Sequence, residues 1–218
     1  VAIAALLAAL DEVEAAGADA VVLAGRPGRF SAGFDLKAMQ AGPDEARRML
    51  SAGVDLFLRT YLFPRPVVAA CTGHAIAAGS IILMSTDLRI GAAGDFRIGL
   101  PELTIGMPLP FFATELARDR ISKRHLSQVF LGRMYDPEGA TDAGFLDQGV
   151  DVDVGHRSIR ESVRNEENVV IPGVLRRQNR LSLLEPVLVI RSDRTRVRVV
   201  AVHMGVYGCK VPLSRVVK

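Results

Sequence analysis

Two places in this chain combine residue types that could stabilise a developing charge and move a proton. The first is the run CTGHAIAAGSIILMSTD, residues 71–87. Ala77, Ala78 and Gly79 open an apolar segment whose length suits a buried helix ending before Asp87. The first turn of such a helix carries unpaired N–H donors at the positive end of its dipole, and small side chains let a ligand oxygen come close. That is what stabilising an oxyanion requires, although tight packing asks for the same small residues. The second place is Glu102, which stands among Leu100, Leu103, Ile105, Met107, Phe111 and Phe112. Apolar surroundings disfavour a carboxylate and move its pKa towards neutrality, which suits a general acid or base. A loop-end Glu facing water fits the same stretch. A third segment, GRPGRFSAG at residues 25–33, is a glycine-rich loop that leads into Phe34, Asp35, Leu36 and Lys37. It lacks GKS or GKT and the GxGxxG spacing, so a phosphate loop is not implied, and an ordinary turn accounts for it equally well.

The elements that must hold these groups follow an alternating order. Residues 2–16 carry apolar positions at helical spacing, with Gly17 as the stop, and residues 18–24 (ADAVVLA) read as a strand. Pro43 starts a long helix to about Leu62, with Asp44 and Glu45 where the dipole favours acid, and Pro64 and Pro66 end it. Residues 67–72 (VVAACT) read as a buried strand, with a turn at Gly73 before the helix that opens at Ala77. Two short strands are expected at residues 88–92 and 96–100, around a turn at Gly94 and Asp95. Helices follow over residues 110–120, from an N-cap at Ser122 to Leu131, and from Asp136–Pro137 to Gly144. This is an α/β order.

Composition bounds the class. The 218 residues, 49% of them hydrophobic, suffice for one sizeable core and exclude a disordered chain. Cys71 and Cys209 are far apart in sequence, so neither a disulfide framework nor a CxxC site is suggested, and a cytoplasmic, reducing setting fits. The apolar opening VAIAALLAAL has no basic segment before it and runs straight into Asp11, Glu12 and Glu14, so it reads as an amphipathic helix, not a signal peptide. No apolar run approaches the roughly 18 residues of a membrane span. His74, His125, His156 and His203 lack metal-ligand spacing, and no metal is expected. Up to residue 150 there are 14 Lys and Arg against 17 Asp and Glu, a balance of −3; beyond it there are 13 against 7, a balance of +6. The basic character belongs to the last 68 residues, and nucleic-acid binding is not inferred for the whole chain.

Taken together, FSAGFDLK at residues 30–37, GHAIAAG at 73–79, DLRI at 87–90 and IGLPELTIG at 98–106 resemble the crotonase superfamily, the enoyl-CoA hydratase/isomerase group. DPEGATDAGFLD at residues 136–147 is similar to that family's helix before its last core strand. The resemblance implies an α/β crotonase-like core of repeated ββα units over residues 1–150. It implies an acyl-CoA thioester as substrate, with coenzyme A part of that substrate and no separate cofactor. By the same resemblance, the N–H groups of Phe34 and Ala78 form an oxyanion hole and Glu102 is the catalytic acid/base. Ala32, Asp35, Leu36, Lys37, Ile76, Ala77, Gly79, Pro101 and Ile105 then surround the substrate. Lys37 falls near the CoA nucleotide, and Asp35 braces its own loop. A homotrimer, or a dimer of trimers, is the assembly implied, with no nucleic-acid or membrane partner.

The chain also departs from the pattern. Ile81 occupies the position where hydratases of the family place a second carboxylate, so isomerase chemistry with one base is expected over hydration. Ala78 stands where many relatives have Gly, which a helix start tolerates without positive φ. The family's opening strand pair is absent: the chain begins at Val1 in mid-pattern, which reads as N-terminal truncation or a valine start codon translated literally. Residues 151–218 form an atypical basic tail with alternating Arg and Val at 194–200, expected to be disordered or the product of a frame shift near residues 148–153. The alternative reading of the whole is a non-catalytic acyl-CoA-binding relative or an inactive truncated gene product. A third is that the Arg-rich tail binds nucleic acid or another acidic surface.

Overall fold

The computed structural model describes residues 2–150 together with the segments 171–172, 187–188 and 199–203. The frame-shift and disorder expectations for the tail fall mainly on residues outside those described.

Helix α1, Ala2–Ala15, buries Leu6, Ala9, Leu10 and Val13, the i, i+3, i+4, i+7 face of an amphipathic helix. Gly17, at φ 66°, turns the chain into strand β1, Ala20–Ala24, all five residues of which are buried. Strand β2, Gly28–Ser31, and the one-turn helix α2, Leu36–Met39, come next. Helix α3, Pro43–Tyr61, then crosses back to strand β3, Val67–Cys71, again buried throughout. Such unbroken apolar strands are what a parallel sheet covered on both faces demands. Strand β4, Gly73–Ile76, leads into helix α4, Ala78–Met84, whose seven residues are all buried. Strands β5, Leu88–Ala92, and β6, Ile98–Gly99, follow, then a 3₁₀ turn at Glu102–Ile105. Helices α5, Phe111–Arg120, and α6, Lys123–Phe130, precede strand β7, Met134–Tyr135, helix α7, Pro137–Ala143, and strand β8, Gln148–Val150. The remaining described segments are β9, Ile171–Pro172, and β10, Val187–Leu188, which pair antiparallel, and β11, Val199–His203.

Two main sheets result. One is all parallel in the order β11-β1-β3-β5-β8, and the other runs β2-β4-β6-β7, parallel except for β7. Successive strands alternate between them: β1, β3 and β5 enter the first, while β2, β4 and β6 enter the second. This is the ββα repeat. Between β3 and β4 only Thr72 separates the two sheets, so the corner must be tight. Gly73 meets that need, because a Cβ there would lie 2.0 Å from the Gly28 carbonyl carbon and 2.4 Å from the Arg29 nitrogen.

Several local expectations need correction. Residues 28–31 lie within the stretch expected to be a loop and are strand β2, pairing Gly28 with Gly73 and Arg29 with His74. Gly73, expected as a turn, begins β4. Both strands are four residues long and begin with glycine, and they exist through pairing with partners distant in sequence, which local periodicity does not register. Residues 88–92 and 96–100 do not pair with each other. The second shrinks to Ile98–Gly99 and joins the other sheet, because Gly99 has φ 158° and Gly94–Asp95 bends the chain across the gap between sheets.

Candidate functional site

The small sheet explains how residues far apart in sequence come together. β2, β4 and β6 are parallel neighbours. Phe34 follows the end of β2, Ala78 follows the end of β4, and Glu102 follows the end of β6. All three therefore leave the same edge of the sheet, from adjacent strands that are spaced by about 4.8 Å.

Ala78 is the first residue of α4, and Ala77 before it has φ 54° and ψ −122°. Ala77 is the one non-glycine residue with positive φ among those described. The strained residue is thus Ala77, while Ala78 itself is helical. Three bonds hold this corner. The Ala77 N–H donates to the Gly99 carbonyl at 3.0 Å, the Ser80 hydroxyl donates to the Ala75 carbonyl at 2.6 Å, and the Gly99 N–H donates to the Ser80 hydroxyl oxygen at 3.0 Å. Ser80 is fully buried, so one hydroxyl ties the start of α4 to the strand that leads, three residues on, to Glu102.

The loop after β2 lies directly over this helix start. A Cβ on Gly33, at φ +88°, would sit 3.0 Å from the Ile76 carbonyl oxygen and 3.4 Å from the Ala78 nitrogen. A Cβ on Gly79 would sit 2.4 Å from the Ser31 carbonyl oxygen. Glycine at both positions is what lets the backbones touch. Asp35 caps α2, its Oδ1 accepting from the Lys37 N–H at 3.0 Å and the Ala38 N–H at 3.4 Å, so its side chain serves its own loop. Among the described residues, neither the Phe34 N–H nor the Ala78 N–H has an acceptor. Two backbone donors without acceptors, at the ends of neighbouring strands, are a ready anion or carbonyl site.

A cavity of about 170 Å³ reaches both donor residues and is walled by Ala32, Phe34, Ala78 and Ile82, with α1 and α3 closing it. Arg26 and Arg29 also line it. The other expected substrate contacts are distributed differently. Leu36 and Lys37 are exposed, Ile76 and Ala77 are half-buried, Gly79 is buried at the seam between the loop and α4, and Pro101 is half-buried beside the exposed Ile105. Glu102, Pro101 and Ile105 do not line the cavity.

Glu102 is buried, at 6% exposure, and its Oε2 has no hydrogen-bond partner among the described residues. Burial pushes its pKa above the ordinary Glu value, partly opposed by a hydrogen bond from its own backbone. The turn that carries it is closed by the Met107 N–H donating to the Glu102 carbonyl at 2.9 Å and the Thr104 hydroxyl donating to the Pro101 carbonyl at 2.6 Å. Ile81 is 2% exposed within the apolar core. Among the described residues no group of His, Cys, Asp and Glu could hold a metal ion, and no helix is long and apolar enough to cross a membrane. His125 is held between Tyr135 Oη at 3.3 Å and Asp142 Oδ2 at 3.0 Å, a packing arrangement between α6 and α7.

Sequence reasoning missed Ser80 and the strain at Ala77. The single hydroxyl in the apolar run AGSIILM was the available signal for the first. The second has no local signature, since alanine gives no hint of positive φ.

Comparison with known proteins places these features in context. The family model described as enoyl-CoA hydratase/isomerase matches residues 2–167. Over 148 residues the chain is 32% identical to the "Probable enoyl-CoA hydratase" of Bacillus subtilis, covering 66% of this chain and 57% of that protein. Over 138 residues it is 32% identical to the mitochondrial enoyl-CoA delta isomerase 1 of Rattus norvegicus, covering 62% of this chain and 48% of that protein. A solved enoyl-CoA hydratase/isomerase family protein from Pseudomonas syringae superimposes with a TM-score of 0.72 at 41% identity, covering 75% of this chain and 71% of that one. The chain spans about half the length of the relatives it matches.

Proposed function

The chain belongs to the enoyl-CoA hydratase/isomerase family, and on that footing we propose that it acts on an enoyl-CoA thioester, moving the double bond with Glu102 as its single acid/base. The observation that carries this reading is the pair of acceptor-free N–H groups on Phe34 and Ala78, at the same sheet edge from which Glu102 emerges. The thioester carbonyl oxygen accepts from both donors. Glu102, as carboxylate, takes a proton from the α carbon of a 3-enoyl thioester. The electron pair delocalises through the carbonyl to the oxygen, where the two N–H dipoles stabilise the negative charge. Glu102, now protonated, returns its proton to the γ carbon, and the double bond ends between the α and β carbons. Each donor contributes on the order of 10² to 10³ in rate, and the acid/base group about 10² to 10⁴.

Isomerisation is favoured over hydration because water activation uses a second carboxylate, and Ile81 is apolar and buried where that group was expected. A buried carboxyl with one oxygen unpartnered and a raised pKa suits a group that must both accept and return a proton. Exposed Lys37 remains available to the nucleotide end of CoA. Self-association is part of the same proposal: Leu103, Ile105 and Phe111 are 54%, 54% and 81% exposed around the Glu102 turn, an apolar surface that a second copy would cover.

The test is turnover of a 3-enoyl-CoA, read as the appearance of the conjugated 2-enoyl thioester, against hydration of a 2-enoyl-CoA. Isomerisation outpacing hydration is expected, and Glu102→Gln should lower it by at least 10² while thioester binding persists. Hydration as the faster reaction would reverse the preference, and an unchanged rate in the variant would remove Glu102 from the chemistry.

A further inference from the structure

Gly53 is an interior residue of α3, a position where glycine is a poor helix former. Its backbone is helical, so conformation does not call for it. Space does: a Cβ at Gly53 would lie 2.3 Å from Cζ and 2.7 Å from Cε1 of Phe34. The Phe34 ring therefore rests in the notch that Gly53 leaves in the helix. Towards the C-terminal end of α3 it meets another ring. Phe57, one turn on, is tilted against it with ring centroids 6.2 Å apart. Phe57 is stacked on Phe112 of α5 at 6.2 Å and 5°, and Tyr61 meets Phe112 edge-on at 6.3 Å. The direction left open is the cavity that Phe34, Gly53 and Phe57 share with Ala78.

From this we infer that Gly53 is a positioning residue: it seats the Phe34 ring, which fixes the Phe34 N–H beside that of Ala78 and keeps the ring out of the cavity. The inference rests on the proposed role of the Phe34 N–H in turnover. A methyl group at residue 53 must displace the ring, because 2.3 Å is far inside contact distance, and the cavity that the ring borders gives it room to move. The displaced ring either draws its own backbone with it or swings into the cavity. A displacement of about 1 Å at a catalytic group can cost 10² in rate.

Four forms of the full-length chain test this: wild type, Gly53→Ala, Phe34→Leu and the double variant. Gly53→Ala should lower kcat/KM at least tenfold while remaining cooperatively folded. The double variant should recover to within threefold of Phe34→Leu alone, because the trimmed side chain no longer meets the new methyl group. A merely structural glycine would give a loss that trimming Phe34 does not repair. Selective ¹⁵N-phenylalanine labelling supplies a readout independent of turnover, with nine phenylalanines in the chain. The Phe34 amide signal should move more than the other eight in Gly53→Ala. An unmoved Phe34 signal, a Gly53→Ala rate within threefold of wild type, or a double variant more than threefold below Phe34→Leu overturns the inference. If the wild type does not turn over, the proposed function fails, and the amide signal alone decides whether Gly53 seats Phe34.

Discussion

Replacing Ala77 by glycine should stabilise this protein, although glycine usually weakens one. Ala77 has φ 54° and ψ −122°, within a few degrees of the first central position of a type II′ turn, a conformation dominated by glycine. Holding an L-residue there costs about 1–3 kcal/mol. Glycine removes that strain but frees the unfolded chain, which returns about 0.4–1 kcal/mol. At the middle of both ranges, about 2 less about 0.7, the net gain is about 1.3 kcal/mol. For a chain of this size each kcal/mol shifts the midpoint by roughly 2–4 °C, so Ala77→Gly should raise Tm by about 3–5 °C. Urea and thermal unfolding, monitored by circular dichroism, are the assays, and an unchanged m-value would confirm that the same surface is exposed on unfolding. Ala77→Val should move the other way, since a β-branched residue tolerates positive φ least. A glycine variant no more stable than wild type would refute the strain argument, because Ala77 would then occupy its conformation at little cost.

The Glu102 carboxyl predicts a pH dependence. Its pKa is raised in the folded state, so the stability associated with protonated Glu102 is fully present below the unfolded value of about 4.3 and is lost as pH rises through the higher folded value. The stability of Glu102→Gln relative to wild type should therefore grow as pH increases from 4 to 8, measured as urea midpoints at each pH. The same shift places the inflection of kcat/KM, on the acid side where the carboxylate base is needed, above about 4.3, and an inflection at or below that value would contradict the burial argument. Ser80→Ala removes the hydroxyl that accepts from the Gly99 N–H and donates to the Ala75 carbonyl, two groups that face each other in the β4–β6 ladder, and should cost about 0.5–1.5 kcal/mol; no measurable loss would show that the bridge is replaceable.

The parts of the fold that could be read from the sequence are those whose reason for existing is local. β1 and β3 announce themselves as unbroken apolar runs because both faces are covered. α3 does so through Pro43 and the acidic first turn. Gly144, at φ 102°, ends α7 as its position after DPEGATDA suggests. β2 and β4 were not legible: GRFS and GHAI carry no period, and they become strands by pairing with each other across about 45 residues, and β4 also with β6. The candidate site divides the same way. Glu102 was visible because the apolar stretch around it pointed to burial, although of those neighbours Leu100 is buried while Leu103, Ile105 and Phe111 are exposed. Phe34 and Ala78 gained meaning as a pair through family resemblance, whereas the contact between them runs through Gly33 and Gly79. Ser80 and Gly53 act on residues that no window around them contains, Gly99 and Phe34.

The alternation of strands between two sheets has a consequence for how the chain acquires its site. The larger sheet can begin with β1, β3 and β5, whose apolar strands collapse readily. The smaller sheet closes loops of much the same length, about 45 and 23 residues against about 46 and 20, but its short, glycine-bearing strands are less fully buried than β1 and β3. Closing such loops costs entropy before any contact repays it. The ends of β2, β4 and β6 reach a common edge only when that alignment is complete. The cradle for an oxygen atom therefore depends on the sheet whose alignment is repaid by the less apolar burial.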